Sequence, residues 1–282
     1  YVVGATKGYN YTRGEFYEPI ARFEDALIEA YQSGLLGSDI KSSGVSFDLY
    51  SVIGAGSYIC GEETALLESL EGKQGRPRFK PPFPAYVGLY GKPTNINNTE
   101  TFASVPAIMQ HGGEWFSKLG TEKSGGTKLF CISGHVVNQR VMEISLGTPF
   151  KDVLEMCGGV RNGNKIKAVI PGGSSSKILT GEEMMAITMD YESIGAAGSM
   201  LGSGAVVVLD ETVCMVKTLT RLADFYHEES CGQCTPCREG TGWLARMLHR
   251  IVKGEGKLED VDNLTRVATN IEGNTICGLG DA

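Results

Sequence analysis

The chain has 282 residues, of which 41% are hydrophobic, so it is long enough for one large domain or two to three ordinary ones. Its net charge of −7, without any block of basic residues, excludes the basic surface typical of nucleic-acid-binding proteins. No apolar run approaches the roughly 20 residues of a membrane span. The longest, residues 205–209, has the length of a buried strand.

Glycine and cysteine are the informative residue types. Glycine supplies 38 of the 282 residues, about twice the usual share of roughly 7%, which indicates many tight turns and close approaches of the backbone to ligands. The 8 cysteines are unevenly spread, and a disulfide scaffold would be smaller and denser, so we expect reduced thiols. Because the chain begins at Tyr1, without a Met, inside a predicted strand, we interpret it as a fragment.

Residues 1–120 are predicted to form an α/β domain. Residues 1–4 and 47–53 have the composition of strands, and residues 20–31 and 62–70 carry apolar side chains at helical spacing. Gly34 is expected to end the first helix. Residues 72–98 are rich in Pro, Gly and Asn, the composition of a long ordered loop of the kind that often carries function.

Residues 121–210 are predicted to form a small β-grasp domain. The pattern is a hairpin, then a helix capped by Thr148-Pro149, then further strands, with a flexible turn at residues 172–176. The predicted strands are 127–133, 141–145, 166–170 and 205–209, and the helix is 150–156. After Asp210 the strand patterns end. Helical patterns then predict a C-terminal bundle over residues 211–282, with helices near 215–226, 244–251 and 261–271.

The C-terminal region contains three closely spaced cysteines and a distant fourth. Cys231, Cys234 and Cys237 form C-x-x-C-x-x-C, and this spacing lets successive thiolates converge on one iron–sulfur cluster. Cys277 follows the third predicted helix, where an antiparallel bundle could return it to the others. The sequence therefore predicts a [4Fe–4S] site with four cysteine ligands.

Two features bear on this cysteine site. Thr235 as N-cap and Pro236 as the first helical residue would place the third cysteine at a helix N-terminus, which favours a thiolate. A zinc site built from the same cysteines is the alternative, although zinc sites usually present two separated C-x-x-C pairs. The other cysteines lie in apolar patterns and are predicted to be core residues: Cys60, Cys131, Cys157 and Cys214.

A glycine-rich loop, residues 54–61, links the second predicted strand to the next helix. Small residues there would let the backbone approach a flat or phosphorylated ligand, but the glycine spacing departs from the usual dinucleotide fingerprint. The adjacent Glu62 and Glu63 either face a ligand or simply stabilise the helix N-terminus. Arg78 and Lys80 are likewise either site residues or solvated loop charges.

Four long motifs resemble, in the same order, the NADH-binding, flavin-carrying subunit of respiratory complex I. The motifs are GAGSYICGEETAL at 54–66, RFKPPFP at 78–84, GKPTNINNTET at 91–101 and ESCGQCTPCREG at 229–240. The resemblance implies FMN and NADH in the first domain, a ubiquitin-like β-grasp domain of the SLBB type in the middle, and a [4Fe–4S] cluster in the helical bundle. It implies hydride transfer from NADH to FMN, then single-electron transfer to the cluster and onward to quinone.

The resemblance also assigns roles to individual residues. Flavin and nicotinamide would be lined by the glycine loop and its acidic residues, NADH would be faced by Lys80 and Phe83, and no catalytic proton donor is implied. The cofactor-binding residues are then Gly54, Gly56, Tyr58, Gly61, Glu62, Glu63, Lys80, Phe83, Asn97, Asn98 and Thr101. The cluster ligands are Cys231, Cys234, Cys237 and Cys277.

The implied partners are other peripheral-arm subunits of complex I, above all a thioredoxin-like [2Fe–2S] subunit, with neither nucleic acid nor a membrane span. The implied location is the cytoplasmic side of a bacterial inner membrane, or the matrix side in mitochondria. The family's glycine-rich loop, of the form GRGGAGFP, and its acidic loop normally precede the position of Tyr1. We therefore expect this chain to hold the cluster yet bind flavin poorly.

Two other functions remain open on the sequence. Soluble NAD-linked hydrogenases and formate dehydrogenases use a related flavoprotein module, although no further ferredoxin-like cysteine set is present here. A non-catalytic binding module, with a zinc-stapled bundle and a β-grasp domain, is the second alternative. It predicts a colourless protein.

Overall fold

The computed structural model describes residues 1–282, and internal contacts divide them into two compact units. The first unit comprises Tyr1–Thr99 together with Glu229–Gln233. The second unit comprises Glu100–Glu228 and Cys234–Ala282. Each unit has its own secondary structure and is described separately.

The first unit is built on a β-α-β arrangement. Strand β1 (Lys7–Arg13) pairs in parallel with β2 (Asp48–Gly54), and helix α1 (Tyr17–Gln32) forms part of the crossover that a parallel pair requires. Helix α2 (Glu63–Leu70) follows the glycine loop. The predictions of a helix near 20–31, a strand near 47–53, a helix near 62–70 and a loop over 72–98 are confirmed.

The predicted strand at residues 1–4 is wrong. These residues form a turn closed by the Gly4 amide on the Tyr1 carbonyl, and Gly4 has φ of +69°. Their side chains are exposed, with Val2 93% accessible, and the ladder with β2 begins only at Lys7. Apolar composition alone does not make a strand when the backbone has no neighbour to pair with.

The second unit contains most of the regular structure. Its elements up to the end of the sheet are α3 (Thr99–His111), α4 (Gly113–Ser117), β3 (Thr127–Gly134), β4 (Arg140–Ser145), β5 (Thr148–Pro149), α5 (Phe150–Met156), β6 (Ile166–Ile170), β7 (Leu179–Thr180), α6 (Gly181–Met185), β8 (Thr188–Met189), α7 (Tyr191–Ala196) and β9 (Ala205–Asp210). The predicted strands and the predicted helix of this region are all found. The short β5, β7 and β8, and the helices α3, α4, α6 and α7, were not predicted.

Five of these strands form one mixed sheet in the order β4-β3-β9-β6-β7. The central pair, β3 and β9, is parallel, and the other pairs are antiparallel. This order, with a helix after the first hairpin, is that of the predicted β-grasp fold. Helix α5 contributes Phe150, Val153 and Leu154 to a core that also buries Phe130 and Val206 from the two central strands.

Two local predictions in this region need correction. The Thr148-Pro149 pair does not cap α5 through a side chain, because the Thr148 hydroxyl donates to the Ser145 carbonyl instead. The turn at residues 172–176 is packed rather than flexible. Gly172 is buried, its amide donates to Ser176 Oγ at 3.0 Å, and a Cβ there would lie 2.2 Å from the Leu201 carbonyl oxygen.

Three helices complete the chain: α8 (Met215–Glu229), α9 (Thr235–Val252) and α10 (Leu258–Ile271). They confirm the three helices predicted there. Helices α9 and α10 approach closely, since a Cβ at Gly240 would lie 2.6 Å from Ile271 Cδ1. Helix α9 begins one residue earlier than predicted, with Cys234 as N-cap and Pro236 in the first turn. No helix of the chain combines the length and the apolar character of a membrane span.

Candidate functional site

The glycine loop begins where β2 ends and requires glycine at two positions. A Cβ at Gly54 would lie 2.5 Å from Tyr11 Oη of β1, so only glycine lets the loop leave the sheet here. Gly56 has φ of +90°, a conformation that L side chains rarely adopt. At Gly61 a Cβ would meet no atom within 4 Å. The loop backbone is therefore open at Gly61, as a cradle for a bound ligand requires.

A carboxylate from far along the sequence binds this loop. Tyr58 is the first residue of a short 3-10 turn, Tyr58–Gly61, and the side chain of the preceding Ser57 makes no capping hydrogen bond. The Tyr58 amide instead donates to Glu229 Oε2 at 3.0 Å. Both residues belong to the first unit. Sequence patterns gave no signal for this contact.

Glu62 acts as the N-cap of α2 and also pairs with Lys80. Its carboxylate accepts hydrogen bonds from the Thr64 and Ala65 amides, both at 2.9 Å, so it has the ordinary helix-capping role. Its other oxygen lies 3.0 Å from Lys80 Nζ, which also binds Glu63 Oε1 at 2.7 Å. The structure thus brings together the two acidic residues and the lysine that the sequence selected.

The charges of this group adjust one another. Burial alone would raise the pKa of the Glu62 carboxyl, but hydrogen bonds from Thr64, Ala65 and Lys80 outweigh burial and lower the pKa below its ordinary value. The hydrogen bond to Glu63, helped by Glu62, raises the pKa of Lys80 against the effect of burial. The group therefore carries two carboxylates and one ammonium, and its accessible atoms can accept and donate hydrogen bonds to a polar ligand.

Arg78 fixes the loop that carries Lys80, and it is not a solvated charge. Its guanidinium binds Glu68 at 2.5 Å, Glu71 at 2.8 Å and the Gly88 carbonyl at 3.0 Å. Its amide donates to Thr64 Oγ1 at 2.8 Å, and that hydroxyl donates to the Glu62 carboxylate. Thr64, which is almost wholly buried, therefore connects the loop to the capping carboxylate. Sequence reasoning missed it.

The remaining predicted cofactor residues are accessible. Phe83, in the same loop, is 53% exposed, so one face of its ring is available for stacking on a flat heterocycle. Asn97 is exposed, and its Nδ2 donates to Asn95 Oδ1 at 3.0 Å. Asn98 is exposed as well. Thr101 is exposed on α3 and belongs to the second unit, whereas the others belong to the first.

The motif cysteines lie at the start of α9 and after α10. Cys234 is the N-cap of α9 and Cys237 is buried in its first turn, where the helix dipole favours a thiolate. The Ile276 amide, next to Cys277, donates to Cys234 Sγ at 3.3 Å. Cys231 precedes Cys234 by three residues and falls in the segment Glu229–Gln233 of the first unit.

The four cysteines outside the motif were predicted to be core residues, and two are not. No cysteine forms a disulfide. Cys60 and Cys157 are buried as predicted, and burial raises the pKa of Cys157. Cys131 and Cys214 are exposed. Cys131 lies on the outer face of β3, and Cys214 immediately precedes α8, where the Lys217 amide lowers its pKa.

The donor sets fit the implied cofactors. No three histidine, cysteine, aspartate or glutamate side chains meet at metal-binding distance. Four thiols of the motif, an amide donor to one of their sulfurs and a helix N-terminus behind another nevertheless have the chemistry of an iron–sulfur site. The open backbone at Gly61 beside accessible carboxylates and Lys80 suits a flavin and a nicotinamide dinucleotide.

Family models match along nearly the whole chain. A model described as "Nuo51 FMN-binding domain" matches residues 1–107 and one described as "SLBB domain" matches residues 128–208. A model described as "NADH-ubiquinone oxidoreductase-F iron-sulfur binding region" matches residues 217–282. The glycine loop, the β-grasp sheet and the cysteine region together define a protein with an FMN-binding domain, an SLBB domain and a [4Fe–4S]-binding region.

Curated relatives identify the family. The F-type subunit of NADH-quinone oxidoreductase from Rickettsia bellii (strain OSU 85-389) is 51% identical over 284 residues, a match that covers 100% of this chain and 68% of the relative. A second F-type subunit of the same enzyme, from Rhizobium meliloti (strain 1021), is 50% identical and covers 100% of this chain and 67% of the relative. The chain belongs to the family of F-type NADH-quinone oxidoreductase subunits. The resemblance drawn from the four motifs is confirmed.

A solved structure shares the fold. The crystal structure of an NAD+-reducing [NiFe]-hydrogenase in the H2-reduced state superposes with a TM-score of 0.87 at 34% sequence identity. The match covers 99% of this chain and 46% of the hydrogenase chain. This chain thus spans about two thirds of the curated relatives and less than half of that structural neighbour.

Proposed function

We propose that this chain is the NADH-oxidising, flavin- and cluster-carrying part of an NADH:quinone oxidoreductase. The observation that carries the proposal is the contact of Lys80 with both Glu62 and Glu63 beside the open glycine loop. In this function bound FMN would take a hydride from NADH, and the iron–sulfur cluster would pass single electrons onward towards quinone.

The residues of the first unit would bind and orient the dinucleotide. The carboxylates of Glu62 and Glu63 accept hydrogen bonds from hydroxyl and amide donors, which the ribose and the nicotinamide carboxamide supply. Lys80 neutralises part of their charge and keeps a donor towards solvent. Phe83 would stack on a ring of NADH and so exclude water from one side. The backbone at Gly54, Gly56, Tyr58 and Gly61, with Asn97, Asn98 and Thr101, would hold FMN.

The cluster would be bound by Cys231, Cys234, Cys237 and Cys277. The support is the C-x-x-C-x-x-C spacing, the burial of Cys237 in the first turn of α9 and the amide donor to Cys234 Sγ. Hydrogen bonds to cluster sulfurs raise the reduction potential, so the Ile276 amide would adjust it. The match to the iron–sulfur region of the family argues against the zinc alternative.

The partners would be the other peripheral subunits of complex I, including a thioredoxin-like [2Fe–2S] subunit that accepts electrons from the cluster. The protein would be peripheral on the cytoplasmic side of a bacterial inner membrane, or on the matrix side in mitochondria. Functional domain limits at 1–120, 121–210 and 211–282 belong to the same proposal.

A flavoprotein subunit of an NAD-linked hydrogenase is the second candidate. The likeness to the NAD+-reducing hydrogenase supports it, because almost the whole chain superposes. Its 34% identity is well below the 51% shared with the Rickettsia bellii NADH-quinone oxidoreductase, so we favour complex I. Co-purification with hydrogenase subunits rather than quinone-reducing ones would reverse that preference.

The test is to purify the chain anaerobically, record its visible spectrum, and quantify iron, zinc, acid-labile sulfide and released flavin on one sample. We expect brown absorption, about four irons per chain, FMN, and bleaching on addition of NADH. One zinc and no colour would favour the binding module and contradict the redox function. Iron without flavin would contradict the flavin part of the proposal for this chain.

Matched variants assign the cofactors to residues. Cys237→Ser should lose the cluster, whereas Cys131→Ser, on the exposed face of β3, should keep it. Lys80→Gln should weaken NADH binding. Lys73→Gln, which removes a lysine paired with Glu68 and Glu71 at the end of the same helix, should not. Equal effects of both lysine substitutions would contradict the assigned role of Lys80.

A further inference from the structure

The Tyr58 amide, on the glycine loop, donates to an acceptor that is distant in sequence. The first amides of any helical turn lack partners within the turn, and the Ser57 side chain does not supply one. Glu229, 171 residues further along the chain, accepts this hydrogen bond at 3.0 Å. A carboxylate that accepts from an amide makes a charge-assisted bond, roughly twice as strong as a neutral one.

Glu229 is also the entry to the cysteine motif. It is the last residue of α8, and the segment from Glu229 to Gln233 packs with the first unit. Within that segment the Gly232 amide lies 3.4 Å from Ser230 Oγ, and Gly232 has φ of +75°, so the segment is a tight turn. Cys231 follows Glu229 by two residues. One carboxylate therefore binds the loop assigned to the flavin and begins the segment that carries a cluster ligand.

We propose that Glu229 is a positioning residue that holds the flavin loop against the segment containing Cys231, and so sets the rate of electron transfer from flavin to cluster. This inference rests on the proposed function. Electron transfer, like other reactions between bound groups, is sensitive to displacements of about 1 Å. A purely local role, in which Glu229 only caps the 3-10 turn, would affect flavin retention but not that transfer.

The experiment compares two electron exits in the full-length protein with its cofactors loaded and its partner subunits bound. Ferricyanide reduction by NADH reports flavin reduction, and stopped-flow absorbance with freeze-quench EPR reports cluster reduction. Both rates are normalised to measured FMN and iron, so that loss of cofactor is not mistaken for slow transfer. The variants are Glu229→Leu, which removes the acceptor, and Glu229→Gln, which keeps one acceptor oxygen without the charge.

We expect Glu229→Leu to slow cluster reduction by about tenfold or more while ferricyanide reduction per flavin stays within about twofold. Glu229→Gln should restore most of the cluster rate, because its amide oxygen can still accept from Tyr58. The control is Glu228→Gln, which removes a neighbouring exposed charge and should behave as wild type.

Three results would overturn the inference. Cluster reduction could be unchanged in both Glu229 variants, or both rates could fall in the same proportion, or Glu228→Gln could slow cluster reduction as much as Glu229→Leu. If Glu229→Leu fails to fold, the ratio of the two rates in Glu229→Gln and Glu229→Asp decides between the roles. Failure of the proposed function is distinguishable, because wild-type protein would then lack FMN or iron, or NADH would not reduce it.

Discussion

The glycine-loop region of the first unit and the five-stranded sheet of the second are stabilised by different interactions. The sheet closes over a continuous apolar core in which Phe130, Phe150 and Val206 are fully buried. Around the glycine loop the fixed points are instead carboxylates, with Glu229 on one turn and Glu62 on the next. Apolar packing has no preferred direction, whereas a hydrogen bond fixes both distance and angle. The loops that face ligands are therefore held by directional contacts.

This difference implies that the two regions respond differently to mutation. A core substitution in the sheet should unfold that region without changing the chemistry of the glycine loop. A substitution in the ion-pair network should disturb the loop locally and should depend on pH. The following predictions test this contrast, beginning with the largest expected effect.

Truncation of Phe130 should cause the largest loss of stability. Its side chain is fully buried on β3, and Phe130→Ala should lower the free energy of unfolding by about 3–5 kcal/mol, because a cavity remains. The neighbouring Leu129 is 46% exposed on the opposite face, so Leu129→Ala should cost about 1 kcal/mol or less. Urea unfolding followed by circular dichroism measures both. Similar losses for both variants would show that β3 is not packed on one face.

Loss of the Glu71 carboxylate should give an intermediate, pH-dependent effect. Lys73, Arg78 and the Tyr90 amide bind this carboxylate and lower its pKa from 4.5 to about 2. Because the folded-state pKa lies below the unfolded one, the ionised group stabilises the fold above pH 4.5, and this contribution is lost as the pH falls towards 2. Glu71→Gln should therefore destabilise α2 at neutral pH by roughly 1–3 kcal/mol.

Hydrogen exchange of the α2 amides at pH 7, 5 and 3.5 measures this effect. The difference between wild type and Glu71→Gln should shrink as the pH falls, whereas a difference independent of pH would contradict the assigned ionisation. Glu24→Gln, on α1, provides a control because it removes an acidic side chain outside the Arg78 network.

Much of the fold could be predicted because its signals are local in the sequence. Alternating or β-branched runs located β2 and β9, and helical spacing located α1, α8, α9 and α10. The strands of two residues could not be found in this way, since so short a run has no period. The exposed Cys131 was missed for a related reason: on β3 its neighbours Phe130 and Ile132 are buried, and alternation places Cys131 on the other face.

The site was predictable where its residues lie close together in sequence or in a motif. Glu62 and Glu63 adjoin the glycine loop, and Lys80 follows in a distinctive proline-rich stretch, so the sequence selected all three. Glu229 was not selected, because its contact with Tyr58 spans 171 residues and no local pattern encodes such a pairing. Thr64 was overlooked because a threonine in the first turn of a helix is common, and only the structure shows its hydroxyl between Arg78 and Glu62.

Removal of the Thr64 hydroxyl should have the smallest of these effects on stability, and the sharpest local one. Thr64→Val keeps the shape but leaves the Arg78 amide without its acceptor, which should cost about 1–2 kcal/mol in α2 exchange. It also removes a donor to Glu62, so the pKa of that carboxyl should rise and NADH binding should weaken at mildly acidic pH. Thr64→Ser keeps the hydroxyl and should behave as wild type. If Thr64→Ser fails as Thr64→Val does, the methyl packing rather than the hydrogen bond orders this loop, and the contrast between directional and apolar stabilisation does not extend to α2.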